Sequence, residues 1–224
     1  MIITAKSLYH SNFVVIFNGN KFLMPENSRV VGIYQGDQAA GARFVDNVFA
    51  NRKTLDLPKL NLQIAVEQAR LRVEDNSQKD PADSILINEF SRIYNSLFDQ
   101  PSIVGFGFNF DIYYRFPDVI QIKSLFSNFI EEKVLESAEL LDLGVQFTLE
   151  KDGGRKKEQY MIKVTAPLEI AMHVNHHFVS KELPLAFPAA MGKTEPEKTA
   201  KSPLQNLFEQ CFVETDEIIT KLKF

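Results

Sequence analysis

Two segments of the chain, 103–116 and 168–178, place polar and apolar side chains at alternating positions. Alternation with a period of two is typical of a β-strand, on which every second side chain points to the same face. Each segment therefore predicts a strand with one apolar face and one polar strip, whose side chains are suited to hydrogen-bond or ion-pair with a ligand. The candidate ligand-binding residues are Asn109, Asp111, Arg115, His173, Asn175 and His177.

The first strip begins with two residues that have no side chain, Gly105 and Gly107. Glycine inside a strand leaves room for the close approach of a helix, another backbone or a ligand. We expect a helix to pack over these glycines. The charged residues that follow, Asp111 and Arg115, have an alternative interpretation as an exposed ion pair worth under about 1 kcal/mol.

Three of the four histidines lie close together, between positions 173 and 177. On a helix, His173 and His177 would share one face and could chelate zinc. The alternation favours a strand, on which these two side chains are roughly 13 Å apart. We therefore predict no metal site here. A solvent-facing polar strip is the simpler interpretation, because antiparallel sheets commonly have one such face.

The common sequence fingerprints of enzymes are absent from the chain. There is no phosphate-binding loop, no glycine-rich dinucleotide turn that opens a helix, and no nucleophile elbow. The single cysteine, Cys211, falls on the apolar stripe of a predicted helix, where a thiol acts as a small hydrophobic group. We assign no catalytic residue and no cofactor. The sequence leaves catalysis open and favours a non-catalytic function.

Periodic segments predict the order of elements along the chain. An Asn-Gly step at 18–19 allows the positive φ angles of a tight turn, so we predict a hairpin of 12–17 with 21–24. A phase change in the alternation of 60–74 predicts a bulge or break near 67–70. The other predicted elements are strands at 29–34, 103–116 and 168–178, a hairpin of 145–150 with 159–165, and helices at 84–98, 117–140 and 202–223.

The predicted strands occur in runs and do not alternate strictly with helices. This order favours an α+β fold, a mainly antiparallel sheet built from two or more hairpins with about three amphipathic helices packed on it. We treat residues 1–224 as a single domain, because no convincing linker divides them. The stretch 184–201 lacks periodicity and is expected to be a long mobile loop. The segment 39–52 fits either a helix or a strand.

Composition excludes several classes of partner. The 224 residues include 25 basic and 29 acidic side chains, for a formal net charge of −4, which gives no attraction to nucleic acid or anionic lipid. The 19 phenylalanines fall mostly on apolar stripes without interleaved basic residues, which favours core packing over base stacking. No run of about 18 apolar residues and no secretory signal is present, so we expect no membrane partner. A lone cysteine fits a cytoplasmic location.

These observations favour a non-catalytic cytoplasmic protein that acts by protein–protein association, either as a homo-oligomer or with another protein. Long apolar strands at a sheet edge tend to be covered by another chain. The alternative is an enzyme or a small-ligand-binding protein with a polar site on the sheet face. That alternative requires the two polar strips to meet at one pocket.

Overall fold

The computed structural model describes residues 2–99, 101–137, 143–181, 183–184 and 201–222. These residues form an α+β structure with one antiparallel sheet of nine strands and five α-helices. The strands are β1 (Ala5–Phe17), β2 (Arg43–Asn47), β3 (Arg52–Leu57), β4 (Leu62–Glu67), β5 (Arg70–Asp75), β6 (Ile103–Arg115), β7 (Gly144–Lys151), β8 (Lys156–Ala166) and β9 (Glu169–Phe178). The helices are α1 (Asn27–Val31), α2 (Leu86–Leu97), α3 (Val119–Phe126), α4 (Glu132–Ser137) and α5 (Pro203–Lys221).

The strand order across the sheet is β2-β3-β4-β5-β1-β6-β9-β8-β7. The opening strand of each half of the chain, β1 or β6, has 13 residues and lies at the centre of the sheet. The next strand, β2 or β7, forms the edge of the sheet, and the strands after it lead back until the last one, β5 or β9, lies beside the opening strand. Each half then ends in a long helix, α2 or α5. The two opening strands pair with each other at the centre of the sheet, so one ladder joins two halves of similar topology.

An aromatic core lies on one face of the central strands. Phe13 of β1 is opposite Phe108 of β6, and the two rings stack with centroids 4.8 Å apart. Phe90 of α2 contacts Phe13 edge-on at 4.3 Å, while Phe208 of α5 packs against Phe108 at 5.4 Å and Phe110 at 5.3 Å. Buried aromatic pairs of this kind add about 0.5–1.5 kcal/mol each beyond the area that they bury. The helices α2 and α5 therefore hold the apolar face.

The prediction that a helix packs over Gly105 and Gly107 is wrong, because α2 and α5 cover the opposite face. A side-chain carbon at Gly107 would lie 2.7 Å from the carbonyl oxygen of His176, and one at Gly105 would lie 2.9 Å from that of Phe178. Both glycines are required by the close approach of the β9 backbone. The face on which they lie has no described helix over it at β6.

The predicted hairpin around the Asn-Gly step is also wrong. The residues Gly19–Lys21 form a single 3-10 turn, and 21–24 contains no strand. Both edges of β1 are already paired, one with β5 and the other with β6, so no position beside it is free for a 21–24 strand. Similarly, the predicted strand 29–34 is replaced by the short helix α1.

A two-residue turn, Gln68-Ala69, produces the phase change that the sequence shows near 67–70. It joins β4 to β5 in a hairpin, and both turn residues have positive φ angles, 40° and 61°. This backbone is typical of the tight hairpin turn for which Asn-Gly is the favoured sequence. The predicted break is confirmed, although Gln-Ala carries no turn signal. The ambiguous segment 39–52 contains β2.

The strand and helix predictions in the second half largely match the structure. The strands β6 and β9 and the hairpin of β7 with β8 lie where they were predicted. Ser202 caps α5 by accepting a hydrogen bond from the Gln205 backbone at 3.1 Å, and α5 covers most of the predicted helix 202–223. The predicted helix 117–140 is divided into α3 and α4, which together with α1 gives more helices than the expected three.

Some predictions fall on residues outside the described ranges. The last residues of the predicted helix 117–140, from 138 onward, are among them, as is most of the predicted loop 184–201, namely 185–200. None of the helices among the described residues has the length and hydropathy of a membrane-spanning segment.

We predict that Ala69→Gly stabilises the protein by about 1 kcal/mol, because glycine relieves the cost of a left-handed backbone at a residue with a Cβ. Chemical denaturation followed by circular dichroism measures this change. The matched control is Ala65→Gly, at a buried position in β4, which we expect to destabilise the protein. A loss of stability in Ala69→Gly would contradict the turn geometry.

Candidate functional site

The two predicted polar strips lie side by side, because β6 and β9 are neighbouring strands. Asn109 is opposite Asn175 in the antiparallel register, and Asp111 is opposite His173. His177 is opposite Gly107, and its ring lies above the space that a side chain at Gly105 would need. Five of the six candidate residues are thereby brought together on the face that the long helices leave uncovered.

Arg115 is the exception among the candidates. It lies at the exposed end of β6, opposite Glu169 and Ala5. It does not pair with Asp111, whose carboxylate instead contacts two histidines. The structure therefore places Arg115 away from the other candidates.

Two adjoining depressions follow the open face across the central strands, with volumes of about 400 and 250 Å³. They share Val14, Arg70 and Asn109, so we treat them as one polar groove with a larger and a smaller lobe. The larger lobe is lined by Val14, Ile16, Arg70, Gly107, Asn109, Lys157, Gln159, Asn175 and His177. The smaller lobe is lined by Asn12, Val14, Glu67, Arg70, Arg72, Asn109 and His173.

A row of four carboxamides crosses the polar groove at right angles to the strands. The register places Asn12, Asn109, Asn175 and Gln159 opposite one another on β1, β6, β9 and β8. Asn109 donates a hydrogen bond from Nδ2 to Oδ1 of Asn12, at 2.6 Å. Asn175 and Gln159 make no side-chain hydrogen bond to another described residue, so their donors and acceptors are available to a ligand.

Asp111 accepts hydrogen bonds from histidines on both neighbouring strands. The Nδ1 atom of His10 lies 2.9 Å from one carboxylate oxygen, and Nδ1 of His173 lies 2.5 Å from the other. Burial raises the pKa of Asp111, but the hydrogen bonds from the two imidazoles outweigh it and hold this pKa well below its usual range. The hydrogen bond to Asp111 in turn raises the pKa of His10 against the opposing effect of burial.

This arrangement fixes the orientation of both imidazoles. Donation from Nδ1 to a carboxylate leaves Nε2 as the remaining ring nitrogen, and a carboxylate-oriented histidine is a geometry that general bases use. Of the two rings, His173 borders the smaller lobe. No serine, threonine or cysteine is among the described residues that line either lobe. The groove thus offers proton acceptance and hydrogen bonding, without an adjacent side-chain nucleophile.

A second polar cluster lies on the helix-covered face and was not predicted. Glu158 and His176 are fully buried, and with Glu214 of α5 they place possible metal-ligating atoms within 4.8 Å of one another. However, the ammonium of Lys156 already lies between the two carboxylates, 2.8 Å from Glu158 and 2.5 Å from Glu214, and Lys151 also contacts both. Two cations balance two anions, so an added metal ion would have to displace a lysine.

The cluster instead attaches α5 to the sheet. Nε2 of His176 lies 2.8 Å from the hydroxyl of Thr215, which itself donates to the backbone carbonyl of Cys211. Burial lowers the pKa of His176 despite the neighbouring Glu158 carboxylate. Burial also raises the pKa of Cys211 to about 12, so its thiol stays protonated. These side chains serve packing and not an accessible site.

A larger depression, of about 670 Å³, lies where β1 ends and beside the end of α2. Its walls include the aromatic rings of Phe17, Phe22 and Phe98. Of the four charged residues that line it, Arg29 and Asp99 pair with each other at 3.1 Å. We favour the polar groove as the candidate site, because it has several converging polar groups, of which Asn175, Gln159 and Arg70 have no side-chain partner among the described residues.

Several residues in or beside the groove could not be identified from the sequence. His10 and Asn12 stand on β1, and Arg70 and Arg72 alternate with apolar residues on β5 as any solvated strand face would. Their common location depends on the pairing of β5 with β1 and of β1 with β6, which joins positions about 55–110 residues apart. The alternation is visible in the sequence, but the strand order that brings these residues together is not.

Compared with models of known protein families and with curated protein sequences, the chain shows no significant match. The candidate site therefore rests on the geometry described above.

We predict that Asp111→Asn destabilises the protein by about 1–3 kcal/mol near pH 5.5, where charged hydrogen bonds to both histidines are lost. Because the pKa of His10 is raised on folding, this contribution is complete below about pH 6.5 and falls as the pH rises through the raised value. Because the pKa of Asp111 is lowered, the contribution also falls in strong acid, below about pH 4.

Urea denaturation of the wild type and the variant across pH 3–9 measures this difference. The control is Asp56→Asn, on the same sheet face but in β3, where the carboxylate makes no ion pair with a described residue. A difference between wild type and Asp111→Asn that does not change with pH would contradict the two-histidine arrangement.

Proposed function

We propose that the protein binds a small polar molecule in the polar groove. The observation that carries this proposal is the in-register pairing of the two polar strips, which places amides and imidazoles from neighbouring strands around one depression. The alternative interpretation of the sequence, a small-ligand-binding protein, required the two polar strips to meet at one pocket in this way. Binding sites for small molecules are typically concave, with a few convergent polar groups that fix the ligand's orientation.

The amide row is the part of the groove best suited to recognition. Asparagine is depleted in strands, yet three asparagines stand opposite one another on β1, β6 and β9. The hydrogen bond from Asn109 to Asn12 orients the Asn109 amide, while the amides of Asn175 and Gln159 have no described partner. A ligand that offers both donors and acceptors would satisfy these groups. Beside them, Val14 and Ile16 supply apolar surface.

We predict that Asn175→Leu lowers the affinity for such ligands at least tenfold, because it removes the NH2 donor group and the carbonyl acceptor of a side chain within the amide row. A library of small polar compounds is first screened against the wild type by saturation-transfer NMR. The affinities of the bound compounds are then measured for the variant.

The control is Gln146→Leu, which makes a similar replacement on the open face of β7, outside the groove. This variant should retain the wild-type affinities. Compounds that bind Asn175→Leu as tightly as the wild type, or a library without a single bound compound, would refute the proposal.

Association with a second copy of the chain is the other candidate function. The edge strand β2 has no partner on its outer side in the described sheet, and Val45 in it is 57% exposed. The turn that follows carries Val48 and the fully exposed ring of Phe49. An antiparallel pairing of two β2 strands about Val45 would place this side chain opposite its own copy and bring the two apolar turns to the same interface.

We predict that, if the chain self-associates through β2, Phe49→Asp shifts a dimer to monomer, because a carboxylate at the interface would be desolvated without a partner. Sedimentation velocity at high micromolar concentration measures the shift. The control is Leu23→Asp, at an apolar side chain that is 84% exposed outside the sheet. A wild type that is monomeric throughout this range would contradict self-association.

A further inference from the structure

We infer that the larger lobe of the polar groove binds a small organic anion, whose phosphate or carboxylate charge is attracted by both Arg70 and Lys157. This inference rests on the proposed function, because it names the ligand class of the same site. It goes beyond that function by assigning the charge of the ligand and the two residues that select it.

The charges that line the larger lobe have one sign. Arg70 and Lys157 are its charged side chains, and no carboxylate is among the described residues that line it. The smaller lobe differs, since Glu67 and Arg72 both line it in addition to Arg70. A ligand with a negative group is therefore favoured in the larger lobe, where low-dielectric walls strengthen the attraction.

Arg70 is available for such a contact. The neighbouring glutamates on this face are paired with other arginines, Glu67 with Arg52 at 3.3 Å and Glu74 with Arg72 at 3.2 Å. Arg70 is exposed and makes no ion pair with a described residue. Its guanidinium can bind a phosphate or a carboxylate with two parallel hydrogen bonds.

Lys157 closes the other side of the lobe. Its ammonium contacts Glu150 at 2.8 Å, but that carboxylate is 59% exposed and such surface pairs are weak. Arg70 lies on β5 and Lys157 on β8, four strands apart, or roughly 19 Å between their backbones. The lobe between them is thus long enough for an organic molecule whose polar body lies along the amide row.

His177 lies in the same lobe and is influenced by both cations. Burial lowers the pKa of His177, and the charges of Lys157 and Arg70 lower it further. The imidazole is consequently a neutral hydrogen-bonding group at pH 7. Gly107, opposite His177 on β6, has no side chain to fill the floor of the lobe. An anion thus meets two fixed positive charges, a neutral imidazole and the amides of Asn109 and Asn175.

Matched charged and neutral probes test this inference. Isothermal titration calorimetry compares ribose 5-phosphate with ribose, and glutarate with glutaramide, on the full chain at 50 mM salt. We expect at least one charged probe to bind ten times more tightly than its neutral counterpart, and this preference to fall as salt rises to 300 mM. The phosphate and dicarboxylate arms identify which anionic group the lobe accepts.

The variants Arg70→Gln and Lys157→Gln should each reduce the preference for the charged probe at least fivefold. The control Arg43→Gln removes a cation from the same sheet face on the edge strand β2 and should leave the preference unchanged. Thermal unfolding of each variant confirms that it is folded before binding is compared.

The outcomes separate this inference from the proposed function. Neutral probes that bind as tightly as charged ones, with binding lost in Asn175→Leu, would overturn the anion assignment and leave the groove as a ligand site. The inference would also be overturned if Arg43→Gln reduced the preference for the charged probe as much as Arg70→Gln and Lys157→Gln do. The preference would then arise from the overall charge of the surface and not from the larger lobe. Failure of every charged and neutral probe to bind would contradict both proposals.

Discussion

The pairing of β1 with β6 is the interaction on which the rest of the structure depends. It joins the two halves of the chain, and its alternation assigns every central side chain to one of two faces. Phe13 and Phe108 meet on the helix-covered face, while Asn12 and Asn109 meet on the open face. A one-residue slip would exchange these faces and bury the amides against α2 and α5. The aromatic core therefore fixes the register that assembles the polar groove.

The two faces of the sheet differ in how fully their polar side chains are partnered by described residues. On the helix side, Glu158 and His176 are fully buried, and lysines and the hydroxyl of Thr215 supply their partners. On the open side, Asp111 is fully partnered by two histidines, whereas Asn175 has no described partner. Glu158 and His176 are thus shielded from a ligand and already have protein partners. The open face retains unused hydrogen-bonding capacity beside Arg70, which makes no ion pair with a described residue, and we therefore place binding there.

Much of the fold and part of the site could be predicted from alternation alone. The strongly periodic strands β6 and β9 and the capped helix α5 lie as predicted, because burial of one face demands such a pattern. Tight turns were less predictable. The Asn-Gly step makes no hairpin, since β5 and β6 occupy both edges of β1, whereas Gln68-Ala69 forms one without a favoured sequence. Residues such as His10 and Arg70 required knowledge of long-range strand order, which periodicity does not contain.

The most direct measurement of the central claim is a two-dimensional NMR spectrum of the side-chain amides, recorded while small polar compounds are added to the protein. We expect the largest chemical-shift changes at the NH2 groups of Asn109, Asn175 and Gln159, extending to the backbone of Gly107. Changes confined to the depression at Phe17 and Phe98, or to the turn at Phe49, with the amide row unaffected, would contradict a ligand site in the groove.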